Sequence, residues 1–169
     1  MAVSYLKKAA KSSATGEDDT RATVAQMLSA IEAGGEQRCI EYAAQLDGYH
    51  GNIIATSDDI AQATSRLSQQ VKDDIRFAHE RVNKFAQKQR QALIDFEVEL
   101  SPGLWAGQRQ IPVQTAGCYI PGGRYSHVAS AIMSVATAKA AGVKHVVACS
   151  PPRPDAGIND AILYTANYC

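Results

Sequence analysis

The chain has 169 residues and a mass of 18.1 kDa; 46% of the residues are hydrophobic and 20% charged, and seventeen basic residues balance seventeen acidic ones. This is the composition of a folded globular protein of roughly one domain, and it excludes collagen, coiled coil and wholesale disorder. No apolar run approaches the roughly 20 residues of a membrane helix, and the cancelled charge argues against nucleic acid or a membrane surface as partner.

Residues 1–19 read as a polar leader carrying Ser12, Ser13, Thr15, Gly16 and Glu17-Asp18-Asp19. Its opening, Met1 to Lys8, lacks the basic-then-apolar pattern of a secretory signal, so a cytoplasmic location is expected. A first helix fits Thr20–Ala33, with Val24, Met27, Leu28 and Ile31 on one face. Gly34-Gly35 ends it, because glycine accepts the left-handed conformation of a helix C-terminus. A second helix fits Glu36–Leu46 and is closed by Asp47-Gly48. A third starts after Ser57, an N-cap candidate, with Asp58 and Asp59 well placed for the helix dipole. The fourth and longest covers about Gln69–Leu93; Val71, Ile75, Ala78, Val82 and Phe85 form its apolar stripe. Glu80 and Lys84 are ordered for an i,i+4 pair on it.

The period then changes. Asp95 to Leu100 alternates strictly, the signature of a half-buried strand. Ser101-Pro102-Gly103 is a type II turn, and Leu104–Ile111 returns as the partner strand of a hairpin. From Ala116 the texture changes again. Ala116–Ile120 is a short apolar strand broken by Pro121-Gly122-Gly123. Val128–Ala141 is a helix of small residues capped by Gly142. A second apolar strand runs from Lys144 or His145 to Ser150 and stops at Pro151-Pro152. Gly157–Tyr168 begins another helix. Strand, glycine turn, helix, strand, helix is the order of a parallel α/β sheet, and both strands lack alternation, as strands covered on two faces do. The fold class expected is therefore α/β: an N-terminal helical region with a β-hairpin over 20–114, then the start of a parallel α/β unit over 115–169.

Charge divides along the same line. Residues 1–100 carry twelve Lys and Arg against fifteen Asp and Glu, and residues 101–169 carry five against two. A phosphate-bearing ligand would prefer the second half; chance accounts for the split equally well. The four cysteines, 39, 118, 149 and 169, form no C-x-x-C, and no histidine stands at finger spacing. Cys118 and Cys149 fall in the apolar strands, where a thiol serves as a small core residue.

The sharpest local feature is Gly117-Cys118-Tyr119-Ile120-Pro121-Gly122-Gly123. A strand here runs into a glycine turn and a helix, and open α/β sheets hold ligands at the carboxyl ends of their strands. A helix start there favours an anion such as a pyrophosphate. A plain tight turn explains the same residues, and neither G-x-G-x-x-G nor a P-loop is present. Ser150-Pro151-Pro152 holds the equivalent place one strand later, as the wall of a ring pocket or as a simple strand stop. Of the histidines, only His127 lies beside the glycine turn; His50, His79 and His145 do not converge with it. There is no G-x-S-x-G, no H-E-x-x-H and no defensible pair of carboxylates.

Taken together, the strand ending Tyr119-Ile120-Pro121-Gly122-Gly123, the helix ending Ala138-Lys139-Ala140-Ala141-Gly142 and the strand ending Ser150-Pro151-Pro152 resemble the histidinol dehydrogenase family. Gly34-Gly35, Asp47-Gly48 and the Pro102-Gly103 hairpin fit its N-terminal region, so the resemblance covers nearly the whole chain. It implies a zinc-dependent, NAD-linked dehydrogenase that oxidises a primary alcohol to a carboxylate in two hydride transfers, through an aldehyde. It implies a homodimer whose subunits each carry two Rossmann-like units, with 115–169 as the first part of one. Tyr119 matches the motif tyrosine that contacts the dinucleotide. Pro121, Gly122 and Gly123 would shape that pocket, and Ser150 and Pro151 would line it.

The stretch from Arg124 to Met133 departs from the histidine-biosynthetic pattern. Together with the opening Ser4-Tyr5-Leu6-Lys7-Lys8-Ala9 it looks more like the sister group that oxidises 2,3-dihydroxypropane-1-sulfonate to sulfolactate. The family's zinc ligands and its Glu-His proton-transfer pair are expected beyond this chain, so no metal or catalytic residue is assigned within it. The sequence stops inside an α/β unit, which reads as a truncation and predicts a chain inactive by itself. The alternative is a short, non-catalytic nucleotide-binding or interaction module.

Overall fold

The computed structural model describes residues 15–122, 125–154 and 156–169. Residues up to Tyr42 form one compact unit and Ala43–Cys169 a second. Helix α1 (Thr15–Asp47) is interrupted at Gly35, whose φ of 59° and ψ of −145° no side-chain-bearing residue adopts readily. The two helices expected on either side of Gly34-Gly35 are therefore present, and they abut. The first begins before Thr20, so the acidic run Glu17-Asp18-Asp19 lies in its opening turns, where a helix dipole favours negative charge. The rest of the expected leader, 1–14, lies outside the described residues. Along the first helix Val24 and Leu28 are exposed, and Met27 and Ile31 are half-buried.

In the second unit, α2 (Ser57–Arg66) is capped by Thr56 rather than Ser57. The reason is spacing. Asp59 stands three residues after Thr56 and closes a reciprocal capping box: the Thr56 hydroxyl accepts from the Asp59 N–H at 3.2 Å, and Asp59 Oδ2 accepts from the Thr56 N–H at 2.8 Å. α3 (Gln69–Gln91) follows at once, with the Ser68 hydroxyl accepting from the Val71 N–H. Its apolar stripe holds at Ile75, Ala78 and Val82 and then passes to Ala86; Phe85 is exposed. Glu80 and Lys84 do not close the expected pair; among the described residues the ion pairs are Arg38–Glu41, Arg66–Asp160 and Arg76–Asp73.

Strands β1 (Phe96–Ser101) and β2 (Leu104–Gln108) pair antiparallel, Phe96 facing Gln108 and Glu99 facing Trp105. Gly103, with φ 81°, takes the left-handed corner of the turn, and the Glu99 carboxylate accepts from its N–H at 2.8 Å. The expectation of a half-buried strand is not met. Every residue of both strands is exposed, because no element among the described residues covers the face shared by Phe96, Val98 and Leu100.

β3 (Thr115–Tyr119) and β4 (His145–Cys149) pair in parallel, as the sequence predicted, with Thr115 facing His145 and Tyr119 facing Cys149. The crossover between them is helical throughout but changes pitch: α4 (Val128–Ala131), a π-helical segment (Ile132–Ala136) and α5 (Thr137–Ala140). Within it the Ser134 hydroxyl donates to the Ser130 carbonyl at 2.7 Å, a back-bond that competes with the regular ladder. The small residues let it lie on the sheet: Ala131 and Ala136 are fully buried beside Ile132 and Val135. Gly142, with φ 92°, ends it. There Arg90 of α3 donates to the Ala140 carbonyl at 3.0 Å, and a Cβ on Gly142 would stand 3.1 Å from that guanidinium.

α6 (Asp160–Tyr168) begins later than Gly157, at the Asn159 side chain, which accepts from the N–H groups of Ala161 and Ile162. Ile120, Ala131 and Ile162 form the centre of the core. α2 packs on α6, and α3 on the π segment and α5. All this cover lies on one face of the β3–β4 pair. The other face presents Tyr119, Val147 and Cys149 to solvent. The expectation of strands buried on both faces, and of Cys149 as a core thiol, is thus corrected: Cys118 is buried, Cys149 is not, and among the described residues nothing supplies a second layer.

Candidate functional site

The parallel pair delivers two turns side by side. The Ile120 N–H donates to the Cys149 carbonyl at 2.8 Å, one step past the strands, and brings Pro121-Gly122 against Ser150-Pro151. Gly122 is packed too closely for a side chain. A Cβ there would lie 3.0 Å from the Pro151 carbonyl oxygen and 3.3 Å from the Ser150 hydroxyl. Two stretches separated by nearly thirty residues of sequence therefore meet in one place, as the expected site required. Gly123 and Arg124 lie outside the described residues.

Beside this junction opens a cleft of about 790 Å³, within the size range of small-molecule sites. One wall is the β4–α6 connection with Ser150 and Pro152. The others come from the Tyr49–Ile53 loop and from α2, through Asp59, Gln62 and Arg66. The Ser150 hydroxyl is buried on this wall and has no hydrogen-bond partner among the described residues. A buried hydroxyl without a partner costs free energy, so such an atom marks a place where a partner is missing. The residues present thus fit a polar ligand. Pro121, Gly122 and Pro151 stand behind Ser150. Tyr119 lies on the open sheet face, 63% exposed, and is not part of the cleft wall.

The charges at the cleft are fixed by their partners. Arg66 donates from Nε to Asp160 Oδ2 at 2.9 Å and from Nη2 to Oδ1 at 2.6 Å. That hydrogen-bonded guanidinium holds the Asp160 carboxyl below its ordinary value, against a smaller opposing effect of burial. The Asp59 carboxyl is also lowered, first by the Thr56 hydroxyl and then by the Thr56 N–H. His127 occupies the N-cap position of α4 but makes no capping bond through its side chain, and it is exposed. Cys169 is partly buried, and burial pushes its thiol up to about 11, so it stays protonated at neutral pH.

Sequence reasoning did not find the Tyr49–Ile53 loop, Asp59, Gln62, Arg66 or Asp160 as part of this site. The capping box was legible as S/T-x-x-D spacing at Thr56. The Arg66–Asp160 pair spans 94 positions and has no local signature. Among the described residues no three His, Cys, Asp or Glu side chains are grouped as they would be to hold a metal ion, and no helix is long and apolar enough to cross a membrane.

A model of the histidinol dehydrogenase family matches residues 10–169. The chain belongs to the histidinol dehydrogenase family. Over its whole length it is 51% identical to a sulfopropanediol 3-dehydrogenase of Ruegeria pomeroyi, of which it covers 39%. It is 52% identical to a histidinol dehydrogenase homolog of Pelagibacter ubique, of which it covers 40%. The crystal structure of histidinol dehydrogenase from Elizabethkingia anophelis superposes with a TM-score of 0.78 at 26% identity, covering 97% of this chain and 36% of that one. The chain thus spans about two fifths of the length of the curated relatives it matches. The mixed helix-and-sheet fold and the family resemblance read from the sequence are both borne out.

Proposed function

We propose that this chain is the cofactor-side portion of a cytoplasmic, NAD-linked, zinc-dependent dehydrogenase that oxidises a primary alcohol to a carboxylate in two hydride transfers. The observation that carries the reading is the buried, partnerless Ser150 hydroxyl in a cleft at the carboxyl ends of two parallel strands, in a chain of a dehydrogenase family. Bound NAD would supply the hydride acceptor. The protein's own part is to bind and orient it: Ser150 offers a hydrogen bond, Gly122 and Pro151 form a close-packed rigid backing, and Tyr119, on the open sheet face outside this cleft, is the residue that the family resemblance assigns to the dinucleotide. Pro121 belongs to the turn that shapes this place, and the family resemblance assigns Gly123, outside the described residues, to the same pocket.

The family resemblance puts the zinc ligands and the acid–base groups in the part of the relatives' length that this chain does not span. The unit 115–169 is then the first part of a Rossmann-like domain that follows a helical and hairpin region over 20–114. The protein would work as a homodimer, with a small-molecule alcohol as its substrate.

Identity favours the sulfonate. The chain is 51% identical to the relative named as a sulfopropanediol 3-dehydrogenase but 33% identical to a histidinol dehydrogenase of Methanosarcina barkeri. The test is NAD reduction by the protein that carries this chain, zinc-loaded, with 2,3-dihydroxypropane-1-sulfonate or L-histidinol. Two NAD reduced per sulfonate, with histidinol slow, is the expected result; no reduction with either alcohol overturns it. Tyr119→Ala in that protein should raise the KM for NAD and leave the zinc requirement unchanged.

A further inference from the structure

We propose that Arg66 and Asp160 are a positioning pair: their two-pronged ion pair ties the β4–α6 connection to α2 and so sets the width of the cleft. As a statement about cofactor binding, this rests on the reading of that cleft as the dinucleotide site.

Arg66 is the last residue of α2, Asp160 is the first of α6, and both line the cleft. The guanidinium places two N–H groups on the two oxygens of one carboxylate, at 2.9 and 2.6 Å. This fork geometry fixes direction as well as distance, which an ammonium cannot do. Arg66 in the last turn of α2 and Asp160 in the first turn of α6 each suit their own helix dipole, but neither side chain bonds within its own helix. The N–H groups of Ala161 and Ile162 are already taken by the Asn159 side chain, so the Asp160 carboxylate is not a cap. The Arg66 side chain reaches across to α6 rather than back along α2.

The connection is pinned elsewhere. At its start the Ile120 N–H holds the Cys149 carbonyl. In its middle Arg153 and Gly157 exchange two backbone hydrogen bonds of 2.9 Å. From Ile162 onward α6 is buried in the core. Between these pins, the Arg66–Asp160 pair adds a directional tie at the rim of the α2–α6 packing. Its side chains are 54% and 27% exposed, and an ion pair that open to water contributes little to global stability. Its consequence is therefore geometric.

The test uses the protein that carries this chain, with NADH as probe in a calorimetric titration, together with amide hydrogen exchange. Arg66→Met and Asp160→Asn should each weaken NADH binding about tenfold, since small misplacements of a positioning wall are costly. They should speed exchange at 156–159 while leaving β3, β4 and α3 protected. Arg66→Lys keeps the charge but loses one prong, and should fall between wild type and Arg66→Met. Unchanged exchange at 156–159 in both neutral variants overturns the proposal, whatever NADH does. So does faster exchange throughout the unit, which marks a merely structural role. If the wild-type protein that carries this chain binds no NADH, the cofactor reading fails; the exchange result still decides the pair, faster local exchange supporting it and unchanged exchange refuting it.

Discussion

Ser150 has opposed effects on folding and on binding. Its hydroxyl is buried without a partner, a state that costs the folded protein about 1 kcal/mol or more. Ser150→Ala should therefore raise the midpoint of chemical denaturation and, on the cofactor reading, weaken NADH binding. Both are measurable on one preparation, and a variant less stable than wild type would show that the hydroxyl has a partner after all. The residue was visible in the sequence as the end of a strand-Ser-Pro-Pro run. That its oxygen would be left alone was not, because satisfaction depends on what Gly122 and the cleft bring to it. Gly122 shows the same limit. The turn was legible from Pro121-Gly122, but the reason for glycine is a Pro151 carbonyl oxygen 3.0 Å from where a Cβ would be.

Among the elements, α2 carries the most testable chemistry because its two ends do different work. Its N-terminus is held by the Thr56–Asp59 box, and Thr56→Ala should cost about 1 kcal/mol by denaturant titration. Its C-terminus is tied to α6 through Arg66 and Asp160. The Asp160 carboxyl is lowered in the folded chain, chiefly by the Arg66 guanidinium. The folded state thus binds the Asp160 proton less readily than the unfolded one does. The stabilisation is complete above the ordinary Asp value of about 3.9 and is lost as pH falls through the lower folded value. Asp160→Asn should accordingly lower stability slightly at neutral pH, leave the most acidic region little changed and so flatten the acid limb of the profile; an unaltered acid limb would remove the pair from that role.

Helix boundaries were largely written in local chemistry: Gly34-Gly35 marks the break in α1, and Ser68 starts α3 three residues before the N–H it accepts. The π segment at Ile132–Ala136 was not legible. α3 packs against it and the Ser134 hydroxyl within it bonds back to the Ser130 carbonyl, while its sequence reads as an ordinary small-residue helix.

At the scale of the molecule, the chain carries more apolar surface than it covers. Phe96, Val98, Leu100 and Leu104 are exposed on the hairpin, and Tyr119 and Val147 on the open sheet face. A two-stranded hairpin and a two-stranded parallel sheet are each marginal alone, and exposed apolar patches are sticky. The isolated chain should therefore bind a hydrophobic dye in its native state and show concentration-dependent sedimentation. Val98→Lys should reduce both; a monomer that ignores the dye would contradict the exposed face. Strict alternation from Asp95 to Leu100 correctly predicted a strand with one apolar side. Alternation reports that a face wants cover, and it does not report whether the same chain supplies that cover.

By itself, the sequence determined the elements, the parallel pairing of the 115–119 and 145–149 strands and the family, because each is carried by local pattern: apolar period, capping spacing, glycine turns and an ordered set of short motifs. Only the tertiary structure decided which strand faces are covered, which thiol is buried, that Gly122 meets Ser150 and Pro151, and that Arg66 closes on Asp160 across 94 positions. These are contacts between distant segments, and their energies depend on the three-dimensional neighbourhood that local periodicity does not encode.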